Sequence, residues 1–498
     1  MPTELATAIC SECGADVRFA VGTSQVRCDH CRGGLVICEQ LLVRLSCPNC
    51  GGNFCSLDGA LCGHCPYCET PVLGLTRDNV IQLIAPAKAS APEPTAKLVF
   101  LPFWRMTGLV YGWTIGAKLE VPIDAGTGMS SGEATALPSA LISNEEAPSG
   151  RVFDISLADP ATLAHGVTSL RFRAQLQTFE PYDASVHHSS AEVVAPARSI
   201  AEAKDDLTQQ ALNLGHSANN LARIDCQRAD VVSATLMQLL YPFWICGDQI
   251  YDAVNGHREQ TVELSAPPPS LASQLFDDLR IIELRCPGCQ QALAVESRPA
   301  VLICDSCGRA WQVGEEGLEP ITVRYAKPQL ASEAATIQLP FWRVQCSVSF
   351  SGQTADKSID LYQRLGALRP PHTEVSDGPL HYYTPAFGAL RAPRLDPAAR
   401  ALTLRQIVPH PLAGLPQHST QRQRFQCFFG ASDAARMGYA IWLSILPTAA
   451  WRRARTLRVQ TSAPQLWYLP FCGDGNRELR CLLTGQQFDR QVFRGLAH

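Results

Sequence analysis

Between Ile337 and Phe350 apolar and polar side chains alternate with the two-residue period of a half-buried strand. The run from Lys97 to Trp113 mixes Val, Leu, Phe, Trp and Tyr with turn glycines, and it too predicts β-hairpin structure. Helical patterning is rarer. Ser199 to Ala222 sets apolar residues among Ala, Gln, Lys and Asp behind Ser199 as N-cap, and Ser432 to Leu446 holds the corresponding place further along. Strand-like sequence follows each helix. The fold class predicted is α+β, dominated by β.

A repeat underlies these patterns. Leu101-Pro102-Phe103-Trp104-Arg105 recurs as Leu339-Pro340-Phe341-Trp342-Arg343, and related strings stand at Tyr241-Pro242-Phe243-Trp244 and Leu469-Pro470-Phe471. Cys246-Gly247-Asp248 follows one of the related strings and Cys472-Gly473-Asp474 the other. Large aromatics in strands usually belong to the core, so these strings predict core-anchoring strands, with the prolines at a strand's first residue or on an edge. The rival reading is an aromatic platform for stacking bases, since Trp104 and Trp342 each precede an arginine.

Cysteine spacing supplies the chemistry. Twelve of the 21 cysteines fall into three copies of C-x2-C-x14-C-x2-C. The copies are Cys10, Cys13, Cys28 and Cys31; Cys47, Cys50, Cys65 and Cys68; and Cys286, Cys289, Cys304 and Cys307. Two-residue spacers let paired thiolates close on one metal, and the constant insert suits a hairpin between two knuckles. Each copy predicts a zinc ribbon holding one structural Zn2+, three in all. Cys62 with Cys65 offers an alternative knuckle, but the constant interval favours Cys65 with Cys68.

Ribbons and aromatic strings together divide the chain into a duplicated unit, ribbon then β-rich body, with one extra ribbon at the start. The units expected are ribbons at 8–40, 45–75 and 282–315 and bodies at 98–263 and 320–498. Residues 85–97, rich in Ala and Pro, and 264–281, with three consecutive prolines, read as extended exposed linkers that let ribbons move relative to bodies.

At 498 residues the chain exceeds one core. It has no N-terminal charged-then-apolar segment, and no apolar run reaches the ~18 residues of a membrane span. A soluble cytoplasmic protein is expected, which agrees with reduced thiolate sites. Charge is uneven. Residues 1–319 carry 21 basic and 36 acidic side chains, and 320–498 carry 21 and 10, with Lys327 and Lys357 the only lysines in the second segment. Arginine of that density suits an acidic partner, the acidic N-terminal segment or phosphate.

No phosphate loop, nucleophile elbow, zinc-protease helix or dinucleotide fingerprint occurs, so no enzyme is expected. His187, His188, Glu202, Asp205 and Asp206 read as surface groups. The ribbons combined with Leu-Pro-Phe-Trp strands resemble bacterial zinc-ribbon proteins of poorly defined function, described as transcription-factor-type zinc-ribbon-containing. That resemblance implies an accessory component, with relatives often encoded near membrane-stress factors similar to phage shock protein A. The function expected is a non-enzymatic adaptor that binds proteins, in a membrane-associated or stress-response complex reached through its partners. Nucleic-acid binding through the ribbons and Arg452, Arg453, Arg455 and Arg458 is the alternative, although the ribbons lack a basic face. A second alternative is metal handling or thiol redox at Cys38, Cys55 and Cys62.

Overall fold

The computed structural model describes residues 5–9, 16–20, 25–27, 29, 32, 34–36, 42–57, 62–75, 80–120, 141–168, 170, 178–182, 191–216, 223–259, 280–294, 299–314, 317–331, 336–371, 373, 377–387, 396–412, 422–446, 456–462, 464–474 and 478–489. Two antiparallel strand pairs form its backbone. Lys97–Glu120 pairs with Arg223–Cys246, and Thr336–Phe350 pairs with Gln465–Asp474. In both pairs the aromatic strings stand opposite each other in the same register, Leu101 facing Tyr241 and Leu339 facing Leu469. All four of these side chains are fully buried. The phenylalanines two positions on meet across the strands, with ring centroids 6.5 Å apart for Phe103 and Phe243 and 6.1 Å for Phe341 and Phe471. Trp104 and Trp342 point to the opposite face and are 0% and 1% exposed. The core reading of the strings is therefore what the structure shows, and neither indole is available to stack on a base.

The proline has a reason that edge placement does not supply. Each string lies inside a strand where the outer neighbour changes from a parallel to an antiparallel partner. Glu192–Val193 runs parallel to Val99 and Phe100, whereas Leu141–Ala158 runs antiparallel from Phe103 onward. Val80–Ile84 and Gln249–Asp252 flank Pro242 in the same way, Arg422–Arg424 and His381–Pro385 flank Pro340, and Val323–Tyr325 and Glu478–Cys481 flank Pro470. The departing strand donates its last N–H two residues before the proline, from Val194 to Phe100 O, Ala85 to Leu240 O, Phe425 to Gln338 O and Ala326 to Tyr468 O. The arriving strand donates to the proline carbonyl itself, from Asp159, Ala253, Ala386 and Leu482. A residue without an N–H fits the seam between two partners.

The hairpin expected from Lys97 to Trp113 is instead one strand of 24 residues. Gly108 makes no turn there. The ladder shifts register between Thr107 and Leu109, and a Cβ at Gly108 would lie 3.1 Å from the Phe153 ring and from the Ala234 backbone. The extra residue of this bulge lies on the partner strand, at Ser233, which is left-handed at φ 51°, and Gly108 opposite it leaves room for the Phe153 ring. The helices fall where the pattern put them, at Ile200–His216 and Ala431–Ile445. Ser199 and Glu202 form a reciprocal capping box, so Glu202 is a cap rather than a loose surface group. Asp433 likewise reaches back to the Gly430 N–H.

The ribbons do not hang from free linkers. Ala85 is buried, Lys88 N and Ala89 N both donate to Ala253 O, and Trp244 Nε1 donates to Ala89 O. The sheet of the first body continues through Val80–Ile84 and Thr178–Pro181 into the hairpin Leu42–Ser46 with Asn53–Leu57, then to Leu5–Ile9 and Asp16–Ala20. Of 264–281, only Arg280 and Ile281 are among the described residues, and they belong to the strand Arg280–Glu283, which pairs with Pro71–Leu75. The ribbons at 45–75 and 282–315 thus share a sheet, over a core of Leu73, Leu75, Leu284, Leu293, Leu302 and Trp311.

The ribbon at 282–315 in turn meets the second body, where Ala300 N and Val301 N donate to Cys427 O and Asp305 pairs with Arg424. The second body meets the first through Asp433 Oδ1, which accepts from Ser233 N at 3.0 Å, and through Arg436 Nη1, which donates to Val231 O at 2.9 Å. Tyr111 and Val232 of the first body lie in the core of the second. Among the described residues no helix is long and apolar enough to cross a membrane.

Candidate metal centres

Each ribbon among the described residues is two hairpins bearing one cysteine pair apiece. The register is the same everywhere, with the residue before the first cysteine facing the residue seven further on: Ser46 and Asn53, His64 and Pro71, Arg285 and Ala292, Ile303 and Ala310. Inside each tip the first cysteine's carbonyl accepts from the fourth residue after it. These bonds run from Gly51 N to Cys47 O, Glu69 N to Cys65 O, Gln290 N to Cys286 O and Gly308 N to Cys304 O. That donor residue is left-handed in every case, with φ of 70°, 60°, 63° and 70°. The chain therefore folds back tightly enough for both sulfurs of a pair to face the same way.

The four sulfurs of Cys47, Cys50, Cys65 and Cys68 lie within 4.8 Å of one another, as do those of Cys286, Cys289, Cys304 and Cys307. Sulfurs on opposite knuckles are 3.7 and 3.8 Å apart in the first set and 3.5 Å apart in the second. A tetrahedral zinc with Zn–S bonds of about 2.3 Å separates its sulfurs by about 3.8 Å. Both sets fit one such ion, and both can bind a metal. The alternative knuckle through Cys62 is not used, because the cluster takes Cys65 and Cys68.

Electrostatics inside the sets favours a cation. The Thr70 hydroxyl, 3.2 Å from Cys68 Sγ, holds that thiol down to about 6, while burial pushes Cys65 up to about 12. At Cys286 burial is outweighed by the backbone N–H groups of Gly288 and Cys289, which bring the thiol down to about 6. At Cys289 the N–H of Gln291 favours the thiolate, yet burial and the neighbouring thiols push it up to about 12. One thiolate forms readily and makes the next harder to form; a bound dication removes that penalty.

Cys10, Cys13, Cys28 and Cys31 lie outside the described residues. Their surroundings repeat the pattern, with Ile9 facing Asp16, Arg27 facing Gly34, and Arg32 left-handed at φ 63°.

Two further hairpins share the geometry without a cysteine pair, and sequence reasoning missed them. Tyr251 faces Arg258 and Arg480 faces Gln487; Gly256 N donates to Asp252 O and Gly485 N to Cys481 O, with φ of 77° and 72°. Here Asn255 and Thr484 hold the second cysteine's place. Asn255 Nδ2 donates to Asp252 Oδ2 at 2.9 Å, so a side-chain hydrogen bond does what a metal does elsewhere. The strings Asp252-x-x-Asn255-Gly256 and Cys481-x-x-Thr484-Gly485 carry the signal, in the spacing of C-x-x-C-G.

Of the remaining cysteines, Cys55, Cys346, Cys427, Cys472 and Cys481 are buried and Cys246 is half-exposed, while Cys38 and the side chains of Cys62 and Cys226 lie outside the described set. Arg452, Arg453, Arg455, His187 and His188 lie outside it as well; Arg458 is exposed. No family model matches the chain, and no curated protein or solved structure does either.

Proposed function

We propose that this chain is a non-enzymatic, zinc-stapled adaptor of the bacterial cytoplasm that binds other proteins. The observation that carries the reading is the pair of closed four-cysteine sets. Four thiolates complete a tetrahedral shell and leave no position for water or substrate, so the metal acts as a staple. A third zinc at Cys10, Cys13, Cys28 and Cys31 is part of the reading, supported by the matching hairpin registers and by Arg32. So is an origin by duplication of a ribbon-plus-body unit, supported by the four proline seams and their matching hydrogen bonds.

The test is purification of the tagged protein from its native cells, with and without nuclease, followed by reconstitution with each purified partner. A fixed set of proteins that survives nuclease and rebinds only the zinc-loaded chain supports the adaptor. Retention of nucleic acid alone, lost with nuclease, overturns it.

A further inference from the structure

The ribbon at 282–315 holds its neighbours on two sides through one three-residue strand. Val301–Ile303 pairs with Ala310–Val313, and successive residues of this pair point opposite ways. Val301 and Ala310 lie in the core of the second body, with Ile303 packed against it. Leu302 and Trp311 lie instead in the cluster shared with Leu73 and Leu75 of the ribbon at 45–75. Backbone hydrogen bonds follow the same division. Ala300 N donates to Cys427 O at 2.7 Å on the second-body side, and Leu284 N donates to Pro71 O at 2.8 Å on the other.

The metal set sits at the root of both contacts. Cys304 directly follows Val301–Ile303, Cys286 lies two residues beyond Leu284, and Asp305, next to Cys304, pairs with Arg424. Apolar burial is thin here. The shared cluster holds eight buried residues, of which Cys286 and Cys304 are ligands and Leu73 and Leu75 belong to the other ribbon. Strands of three or four residues do not stand on so little, so the metal supplies much of their order. The set at 45–75 is placed differently, since Cys47 and Cys65 belong to the large buried cluster of the first body. That larger cluster keeps its apolar members when its ion leaves.

We propose that zinc at Cys286, Cys289, Cys304 and Cys307 is a latch between the two bodies. When it is withdrawn, the ribbon lets go of both sides together, and the bodies stay joined, apart from the chain itself, through their direct contact around Ser233 and Asp433. The mutual order of the bodies thereby responds to available zinc. The inference rests on the reading of this set as a zinc staple and not on the adaptor reading.

The experiment is hydrogen exchange read at single amides of the full, zinc-loaded chain, beside elemental analysis, in wild type, Cys289→Ala and Cys50→Ala. Cys289→Ala is expected to carry one zinc fewer and to exchange Leu284, Ala300 and Val301 about tenfold faster or more, with Ser233 severalfold faster. Ala253 and Ala386, which donate within the bodies to Pro242 O and Pro340 O, should keep the wild-type rate. Cys50→Ala should also lose one zinc, yet leave Ala300, Val301 and Ser233 unchanged. If Cys289→Ala does not fold, removal of zinc by a chelator from the folded Cys50→Ala chain replaces it, with the same amides and the same outcomes. Acceleration on one side of the ribbon alone, or an unchanged Ser233, overturns the inference and leaves the staple reading standing; equal zinc in wild type and Cys289→Ala overturns both.

Discussion

Ser233 N, left-handed at φ 51°, donates to Asp433 Oδ1 across the junction of the two bodies, while Asp433 Oδ2 accepts the N–H of Gly430 at the start of the helix Ala431–Ile445. One carboxylate caps a helix and ties it to a neighbouring sheet. Asp433→Ala orphans both donors and is expected to cost about 1–3 kcal/mol, with Asp433→Asn losing less. Urea unfolding checks this; equal midpoints for all three chains would mean that the junction is held by apolar packing alone.

Stability should fall on mild acidification. Burial, and then the Arg343 charge, hold His381 down to about 4 in the folded chain, against about 6.5 unfolded. The unfolded chain takes up the proton first, so this contribution is complete above pH 6.5, shrinks as pH falls toward 4, and is gone below that. It amounts to about 3 kcal/mol at most. His381→Gln should flatten the slope of stability against pH across that window.

The Arg105 guanidinium is 6% exposed and its Asp154 partner 47%. Truncating the partner strands a buried cation, so Asp154→Ala is expected to destabilise by about 2 kcal/mol. Arg105→Met, which removes the charge and keeps the stem, should cost less. The reverse order in equilibrium unfolding would count against the pair as the source of the effect.

Elemental analysis should find at least two zinc ions per chain, and three if the first cysteine set also binds. Cys65 belongs to the same buried cluster as Leu83 and Phe179 of the first body. Cys65→Ser is therefore expected to lose one ion and to lower the melting temperature of that body by several degrees, on the order of 5 °C. Loss of the ion with unchanged melting would separate metal from fold.

Among the described cysteines outside the metal sets, burial raises the thiols of Cys346, Cys427 and Cys481, and none should react in the folded chain. Cys246 is reachable, but its thiol lies 3.0 Å from a Glu93 carboxylate oxygen, which raises its pKa. Glu93→Gln should speed its modification by a disulfide reagent severalfold at pH 8. Fast labelling of Cys346 or Cys427 would instead indicate opening of the second body.

What the sequence disclosed followed from how side chains are patterned. The cysteine intervals located Cys47 to Cys68 and Cys286 to Cys307 because metal ligands must recur at fixed spacing, and the size of Trp104 and Trp342 marked them for the core. Backbone bonding leaves no such trace. Ala85, Lys88 and Ala89 looked like linker because their side chains are small or charged, yet their N–H groups are what anchor them. Pro102 and its three counterparts read as first-in-strand or edge residues, since nothing local reveals that the outer strand changes partner beside them. The long strand through Gly108 reads as a hairpin because a turn and a close approach of neighbouring groups both call for glycine.

The junctions from first body to ribbon 45–75, on to ribbon 282–315, to the second body and back to the first form a closed circuit. Opening any one of them releases nothing, for its two sides stay joined the long way round at high effective concentration. A partner that wedges into a single junction therefore meets a clasp that springs back, and lasting separation requires a second break elsewhere in the circuit.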